Sequence, residues 1–182
     1  SWNLGRFFTS IRHINMPTLI QKGGLLFLIL CLNFNGSTQI SPSFKKLLDS
    51  HCYGFPTIST LDAVKELNAS VFIDAREYEE FKLSHIPNAI FLGFNKPIWK
   101  NLNKISKDKK IIVYCSIGAR SKNIAKKIKQ KGYEKTYNLY GGIFQWSNER
   151  YPLVNLNNKK TKNIHGYSKE WSKWIINGKI FY

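Results

Sequence analysis

The sequence has little cysteine and little negative charge, and both shortages narrow the possible functions. Its three cysteines, Cys31, Cys52 and Cys115, include no pair at the C-x-x-C spacing of structural zinc sites and thioredoxin-type motifs, so neither is predicted. No zinc-finger spacing and no glycine-rich phosphate-binding loop occurs, which leaves nucleic-acid binding without a supporting motif. These patterns indicate no metal and no organic cofactor.

The sequence has only 11 acidic residues, and the first of them along the chain is Asp49. The net charge is +17, mostly from lysines spread along the chain. We interpret this excess first as composition and solubility, with attraction of small anionic substrates and then nucleic-acid binding as the alternatives. At 182 residues and 43% hydrophobic, the chain has room for one ordinary folded domain with extensions.

Residues 1–37 predict an N-terminal extension and an export signal. Met16, the only methionine, begins a short lead up to Lys22; Gly23 to Leu32 is apolar, and residues 33–37 are a polar exit that ends in small residues. This order is typical of a secretory signal peptide. The apolar run is about half of the roughly 20 residues that span a membrane. A retained anchor and a buried helix are the alternatives, but we expect export to the periplasm or outside the cell, and no membrane attachment after signal removal.

Two cysteines near this region have interpretations of their own. Cys31 resembles a lipoprotein cysteine, but the large Leu30 before it disfavours lipidation, and a small apolar signal residue is the simpler interpretation. In an oxidising compartment, Cys52 would be the only possible disulfide partner of Cys115 in the mature chain. We expect Cys52, next to His51, to be a linker or first-helix residue rather than a catalytic one.

Strand and helix signals alternate after a lead-in segment at 38–55, which carries a short helix near 44–49. The four apolar residues Ile111–Tyr114 favour a parallel strand covered on both faces. Asp74 and Glu77 fit the two ends of a helix capping box. The pattern predicts an α/β fold over 56–150, with a mostly parallel central sheet flanked by helices on both faces. Strands are expected at 57–59, 71–73, 89–92, 111–114 and 136–139, and helices at 60–67, 75–83, 97–105, 121–131 and 141–149.

The segment 151–182 is a basic, aromatic tail. Tyr167, Trp171, Trp174 and Ile175 follow helical spacing, which predicts a helix packed on its own domain. A helix on a membrane surface is the alternative, because lysines and tryptophans alternate there.

Cys115 follows directly on the predicted central strand, where binding sites of parallel sheets lie. Gly118 lets the following loop curl, so that successive N–H groups can point inward. A helix N-terminus and the guanidinium of Arg120 would favour the thiolate form of the cysteine. Such a loop suits a nucleophile that handles a small oxyanion, although a buried strand-end cysteine of purely structural role is the simpler alternative.

Four ordered motifs make the segment 56–150 resemble the single-domain rhodanese-like sulfurtransferases. Ser84 and Asn88 depart from the family pattern, since the family often has glycine at both turn positions. The matching pieces are Asp74-Ala75-Arg76-Glu77 with Glu80, Ser84-His85-Ile86-Pro87-Asn88-Ala89, Val113-Tyr114-Cys115-Ser116-Ile117-Gly118-Ala119-Arg120-Ser121, and Tyr137-Asn138-Leu139-Tyr140-Gly141-Gly142 with Trp146.

The resemblance implies a sulfurtransferase that works by double displacement. Cys115 would take sulfur from thiosulfate or a similar small anionic donor as a persulfide, and a thiol or cyanide acceptor would remove it. Arg120 would hold the oxyanion of the donor, whereas Asp74, Arg76 and His85 look like framework residues. We expect a monomer. The persulfide would be held by the backbone N–H groups of Ser116, Ile117, Gly118, Ala119 and Arg120.

Two other functions use the same loop. A cysteine phosphatase would resemble C-x5-R, whereas four residues separate Cys115 from Arg120 here. A non-catalytic rhodanese-like binding module has usually lost the cysteine, which is present in this chain.

Overall fold

The computed structural model describes residues 40–182. The predicted signal peptide, its start at Met16 and the interpretation of Cys31 lie outside the described residues. Within the described range, no helix has both the length and the apolar character needed to cross a membrane.

The described residues contain a five-stranded sheet in which all neighbouring strands are parallel, in the order β1-β5-β4-β2-β3. Strand β4 lies at the centre because its four apolar residues are buried on both sides. The mostly parallel α/β architecture expected from the alternating pattern is confirmed. The strands are β1 Thr57–Ile58, β2 Val71–Asp74, β3 Ile90–Phe91, β4 Ile111–Tyr114 and β5 Thr136–Leu139.

Helices cover both faces of this sheet, as predicted. Ile112 and Tyr114 of β4 point into one apolar core and Ile111 and Val113 into the other, because side chains alternate along a strand. The first core is covered by α1, α2 and α5, and the second by α4 and a 3-10 helix. The helices are α1 Pro42–Cys52, α2 Thr60–Lys65, α3 Tyr78–Leu83, the 3-10 helix Trp99–Leu102, α4 Ala119–Gln130 and α5 Gly142–Asn148.

Two of the predicted helices were wrong in detail. The expected helix 97–105 is only the short 3-10 helix, in which the N–H groups of Asn101 and Asn103 bond three residues back. The side chain of Asn101 also donates a hydrogen bond to the carbonyl of Phe91 (2.8 Å), and this bond connects the segment to the end of β3. The capping box is formed by Glu77 and Glu80, not by Asp74 and Glu77, because Asp74 still belongs to β2.

The tail folds back onto the domain, but not as the long helix that its spacing predicts. It contains β6 Asn163–His165 and β7 Lys179–Phe181, which pair in parallel, with the short helix α6 Lys169–Ser172 between them. Tyr167 has φ +64°, a left-handed conformation that a helix cannot include, so α6 begins after it. The expectation that the tail packs on its own domain is confirmed by Trp174, which stacks on Phe44 with ring centroids 4.9 Å apart.

Candidate active site at the end of the central strand

Cys115 lies directly after β4, at the start of a loop that leads into α4. Its Sγ accepts a hydrogen bond from the N–H of Gly118 at 3.2 Å. The hydroxyl of Ser121 lies 3.4 Å from Sγ, but it donates its single proton to the side chain of Asn138 at 2.6 Å. Gly118 has φ +105° and is the N-cap of α4. Because glycine has no side chain, the N–H groups of the first turn receive no side-chain cap. The helix begins at Ala119, two residues earlier than predicted, which places Arg120 in that first turn.

Cys52 packs behind the loop and fixes the choice of glycine at position 118. A Cβ on Gly118 would lie 2.7 Å from Cys52 Sγ and 3.3 Å from Asn138 Nδ2, so any larger residue would push the loop away. Asn138 ties the loop to β5, since its amide donates to the carbonyl of Gly118 at 2.9 Å and its carbonyl accepts from Ser121 at 2.6 Å. Cys52 is the last residue of α1, as expected, and burial raises the pKa of its thiol to about 11.

Helix α5 supports the first residues of the loop from the other side. The N–H of Ile143 donates to the carbonyl of Cys115 (2.9 Å), and the N–H of Phe144 donates to that of Ser116 (3.1 Å). This contact needs Gly142, because a Cβ there would lie 2.4 Å from the Cys115 oxygen. The glycine pair at 141–142 therefore places a helix end directly against the cysteine loop.

Arg120 is held by Glu80 in a two-pronged ion pair. Its Nη1 and Nη2 donate to the two carboxylate oxygens at 2.7 and 2.8 Å, and Nη2 also donates to Ser116 Oγ at 2.9 Å. Burial alone would raise the pKa of the Glu80 carboxyl, but the hydrogen bonds and charge of Arg120 outweigh it and hold that pKa below its ordinary value. The guanidinium is thus an internal partner of the loop as well as a charge beside the cysteine.

Asp74, Arg76 and His85, expected to be framework residues, are buried in the domain. Asp74 and Arg76 form a fully buried ion pair (Nη2 to Oδ2, 2.6 Å), and Arg76 also donates to the carbonyl of Ser84 at 2.7 Å. His85 stacks on Phe81, and its burial lowers the pKa of the imidazole. None of the three lines the cavity in front of Cys115.

A cavity of about 180 Å³ lies in front of the cysteine. Cys115 exposes only 1% of its surface, so this cavity is its contact with the outside. Five of the six predicted site residues line the cavity, whereas Gly118 contributes its N–H from behind; their roles stay predictions. The lining residues are His51, Cys115, Ser116, Ile117, Ala119, Arg120, Tyr167 and Trp171.

Three of these lining residues were not predicted as part of the site. His51 comes from α1, and Tyr167 and Trp171 come from the tail, where the aromatic spacing was interpreted as a helix stripe. The ring of Tyr167 lies 4.9 Å from the guanidinium carbon of Arg120, and Trp171 meets His51 edge to face at 5.9 Å. The sequence holds no spacing signal that would have brought these distant segments together.

No three His, Cys, Asp or Glu side chains in residues 40–182 are grouped as metal ligands would be.

Comparison with known proteins decides the family. The model of the rhodanese-like domain matches residues 57–149, slightly more than half of the chain. The chain belongs to the rhodanese-like family. Its cysteine loop lies inside the matched segment, whereas His51, Tyr167 and Trp171 lie outside it.

Similar proteins include sulfurtransferases and a longer enzyme. This rhodanese-like chain is 34% identical over 85 residues to a sulfurtransferase of Allochromatium vinosum, covering 46% of this chain and 78% of that protein. It is 30% identical over 147 residues to the tRNA uridine(34) hydroxylase of Erwinia tasmaniensis, covering 78% of this chain. The match spans only 42% of the hydroxylase, so that protein is much longer than the shared part.

A solved structure has a similar fold. The BH2092 protein from Bacillus halodurans superimposes with a TM-score of 0.51 at 25% identity. The superposition covers 62% of this chain and 84% of that protein.

Proposed function

We propose that this protein is a sulfurtransferase that carries sulfane sulfur as a persulfide on Cys115. The observation that carries the proposal is that Cys115, whose Sγ lies 3.2 Å from the N–H of Gly118, lines a small cavity. Membership of the rhodanese-like family and the similarity to a sulfurtransferase support the same chemistry.

The first half-reaction loads the sulfur. The Cys115 thiolate attacks the outer sulfur of thiosulfate or a similar donor, a new S–S bond forms, and the S–S bond of the donor breaks. Its electron pair leaves with sulfite. The N–H of Gly118 and the uncapped first turn of α4 stabilise negative charge at the sulfur before and after this step.

The second half-reaction returns the enzyme to its starting state. A thiolate or cyanide attacks the outer sulfur of the persulfide, and the bond between the two sulfurs breaks. Its electron pair returns to Cys115 Sγ as a thiolate. The N–H of Gly118, 3.2 Å from Sγ, donates to the sulfur that leaves as a thiolate.

The other functions that share the loop fit less well. A phosphatase needs a cradle wide enough for phosphate, and here four residues separate Cys115 from Arg120, whose guanidinium is paired with Glu80. A non-catalytic binding module has usually lost the cysteine, whereas Cys115 is present here and lines the cavity. The hydroxylase activity named for the Erwinia relative belongs to a much longer protein.

Intact mass spectrometry tests the proposal directly. The purified protein is incubated with thiosulfate, weighed, and weighed again after cyanide. We expect a mass gain of one sulfur atom that cyanide removes, absent in Cys115→Ser and retained in the control Cys52→Ser. No gain with any donor, or a gain that persists in Cys115→Ser, would overturn the proposal.

A further inference from the structure

The wall of the cavity that faces Cys115 comes from outside the family segment. His51 precedes the matched residues 57–149, and Tyr167 and Trp171 follow them. The cysteine loop is therefore common to the family, but its wall is contributed by the flanks of this chain.

The tail segment that follows Tyr167 and Trp171 is attached to the domain. The hydroxyl of Ser147 in α5 donates to the carbonyl of Asn177 (2.6 Å), and the N–H of Ile176 donates to the side chain of Asn148 (2.8 Å). Ile175 lies in the same apolar core as the strands of the central sheet. These contacts anchor residues 175–177, and Trp171 packs against the same apolar core.

The cavity offers little net charge to a doubly charged anion. Arg120 is the only lysine or arginine among the described residues that line it, and Glu80 neutralises this guanidinium at 2.7 Å. Tyr167 lies over the same guanidinium. The other side chains that line the cavity include Ile117, Ala119 and Trp171, which favour an apolar group because its burial releases water from apolar surface.

The size of the cavity limits that group. The volume of the cavity is about 180 Å³. Pockets for drug-sized ligands begin near about 300 Å³, so this cavity suits a small group. One small ring or a short alkyl chain fits beside the transferred sulfur.

We propose, resting on the function proposed above, that Tyr167 and Trp171 make this protein prefer sulfur donors that carry one apolar group. An organic thiosulfonate represents this class. The Cys115 thiolate attacks its outer sulfur, the bond between that sulfur and the sulfonyl sulfur breaks, and a sulfinate leaves with the electron pair. The apolar group of the donor lies against the two aromatic rings during the attack.

The test compares three donors with cyanide as the common acceptor. These are benzenethiosulfonate, methanethiosulfonate and thiosulfate, and each kcat/KM is divided by the rate of the same donor with a free thiol in solution. We expect the wild-type protein to prefer the benzene over the methane compound by about tenfold, the size of effect that an apolar pocket gives. Tyr167→Ala and Trp171→Leu should each reduce this ratio several-fold, because each removes an aromatic face.

The control is Tyr53→Ala, since Tyr53 is 84% exposed and does not line the cavity. It should keep the wild-type ratio. Tyr167 is 52% exposed, so Tyr167→Ala carries the test even if Trp171→Leu fails to fold. If all three donors load Cys115 and the ratio is unchanged in both cavity variants, the donor proposal is overturned while sulfur transfer stands. If no donor loads Cys115, sulfur transfer itself fails.

Discussion

Glu80 joins two parts of the active site through a single carboxylate. Its Oε2 accepts both the N–H of Glu77, at 3.0 Å, and Nη1 of Arg120, at 2.7 Å. One side chain therefore caps α3 and holds the first turn of α4. The sequence showed Glu80 inside a family motif but gave it no role. Which of the nearby acids caps the helix depends on where β2 ends, and that is set by the pairing of Asp74 with Tyr114 on β4.

Substitution Glu80→Gln should weaken the fold in a pH-dependent way. At pH 7 we expect a loss of about 1.5–3 kcal/mol of unfolding free energy, the usual worth of hydrogen bonds to charged groups. The folded-state pKa of Glu80 lies below its ordinary value, so its stabilisation is present above pH ~4.5 and is lost as the pH falls through the folded-state pKa. Urea unfolding at pH 7, 5 and 3.5 measures this.

The difference between wild type and Glu80→Gln should shrink towards the lowest pH. The control is Glu79→Gln, the neighbouring acid, whose partner Lys82 is about half exposed. An equal difference at every pH would contradict the ionic role of Glu80.

The helix α5 acts on the cysteine loop through one close approach. Gly142 lets its first N–H groups reach the carbonyls of Cys115 and Ser116. The sequence predicted a helix start at the glycine pair, but the reason for that pair is a backbone contact between distant segments. Short apolar strands and glycine-flanked helices were predictable because their signals are local, whereas such a contact depends on the packed tertiary structure.

Gly142→Ala should displace α5 from the loop. A Cβ would lie 2.4 Å from the Cys115 oxygen at a residue with φ +55°, and we expect a loss of about 3 kcal/mol or more from overpacking and backbone strain. Sulfur loading should slow as well, because the loop loses two hydrogen bonds. Thermal unfolding and the mass assay measure the two effects.

The matched control is Gly132→Ala at the end of α4. Gly132 has φ +87° but no atom within 4 Å of the added Cβ, so only backbone strain of about 1–2 kcal/mol applies. Equal destabilisation by both variants, with normal sulfur loading in both, would contradict the role given to the close approach of α5 to the cysteine loop.

The positive charge of the whole chain should affect how donors reach the site. With a net charge of +17, attraction over several ångströms raises the encounter rate of anions, and salt screens it. We expect kcat/KM for thiosulfate to fall several-fold between ~50 and ~500 mM NaCl. The fall should be steeper for this dianion than for monoanionic methanethiosulfonate. Equal salt dependence for both donors would assign the effect to something other than charge attraction.

The cavity is a property of the whole molecule, and this is why the sequence revealed only part of it. The stretch from Cys115 to Arg120 is contiguous, so its residues could be predicted together. His51, Tyr167 and Trp171 reach the same place from both ends of the described chain. Their convergence depends on the packing of α1 against the tail, and no periodicity in the sequence indicates this packing.

The stack of Phe44 on Trp174 has a practical consequence for protein engineering. Excising residues 57–149 alone would remove Phe44, Leu48 and Ile175 from the apolar core and so expose part of it to water. We expect such a fragment to aggregate more readily than the full chain. Moving the sulfur-handling loop into a chimera therefore requires transplanting the two flanks together, as one unit with the domain they enclose.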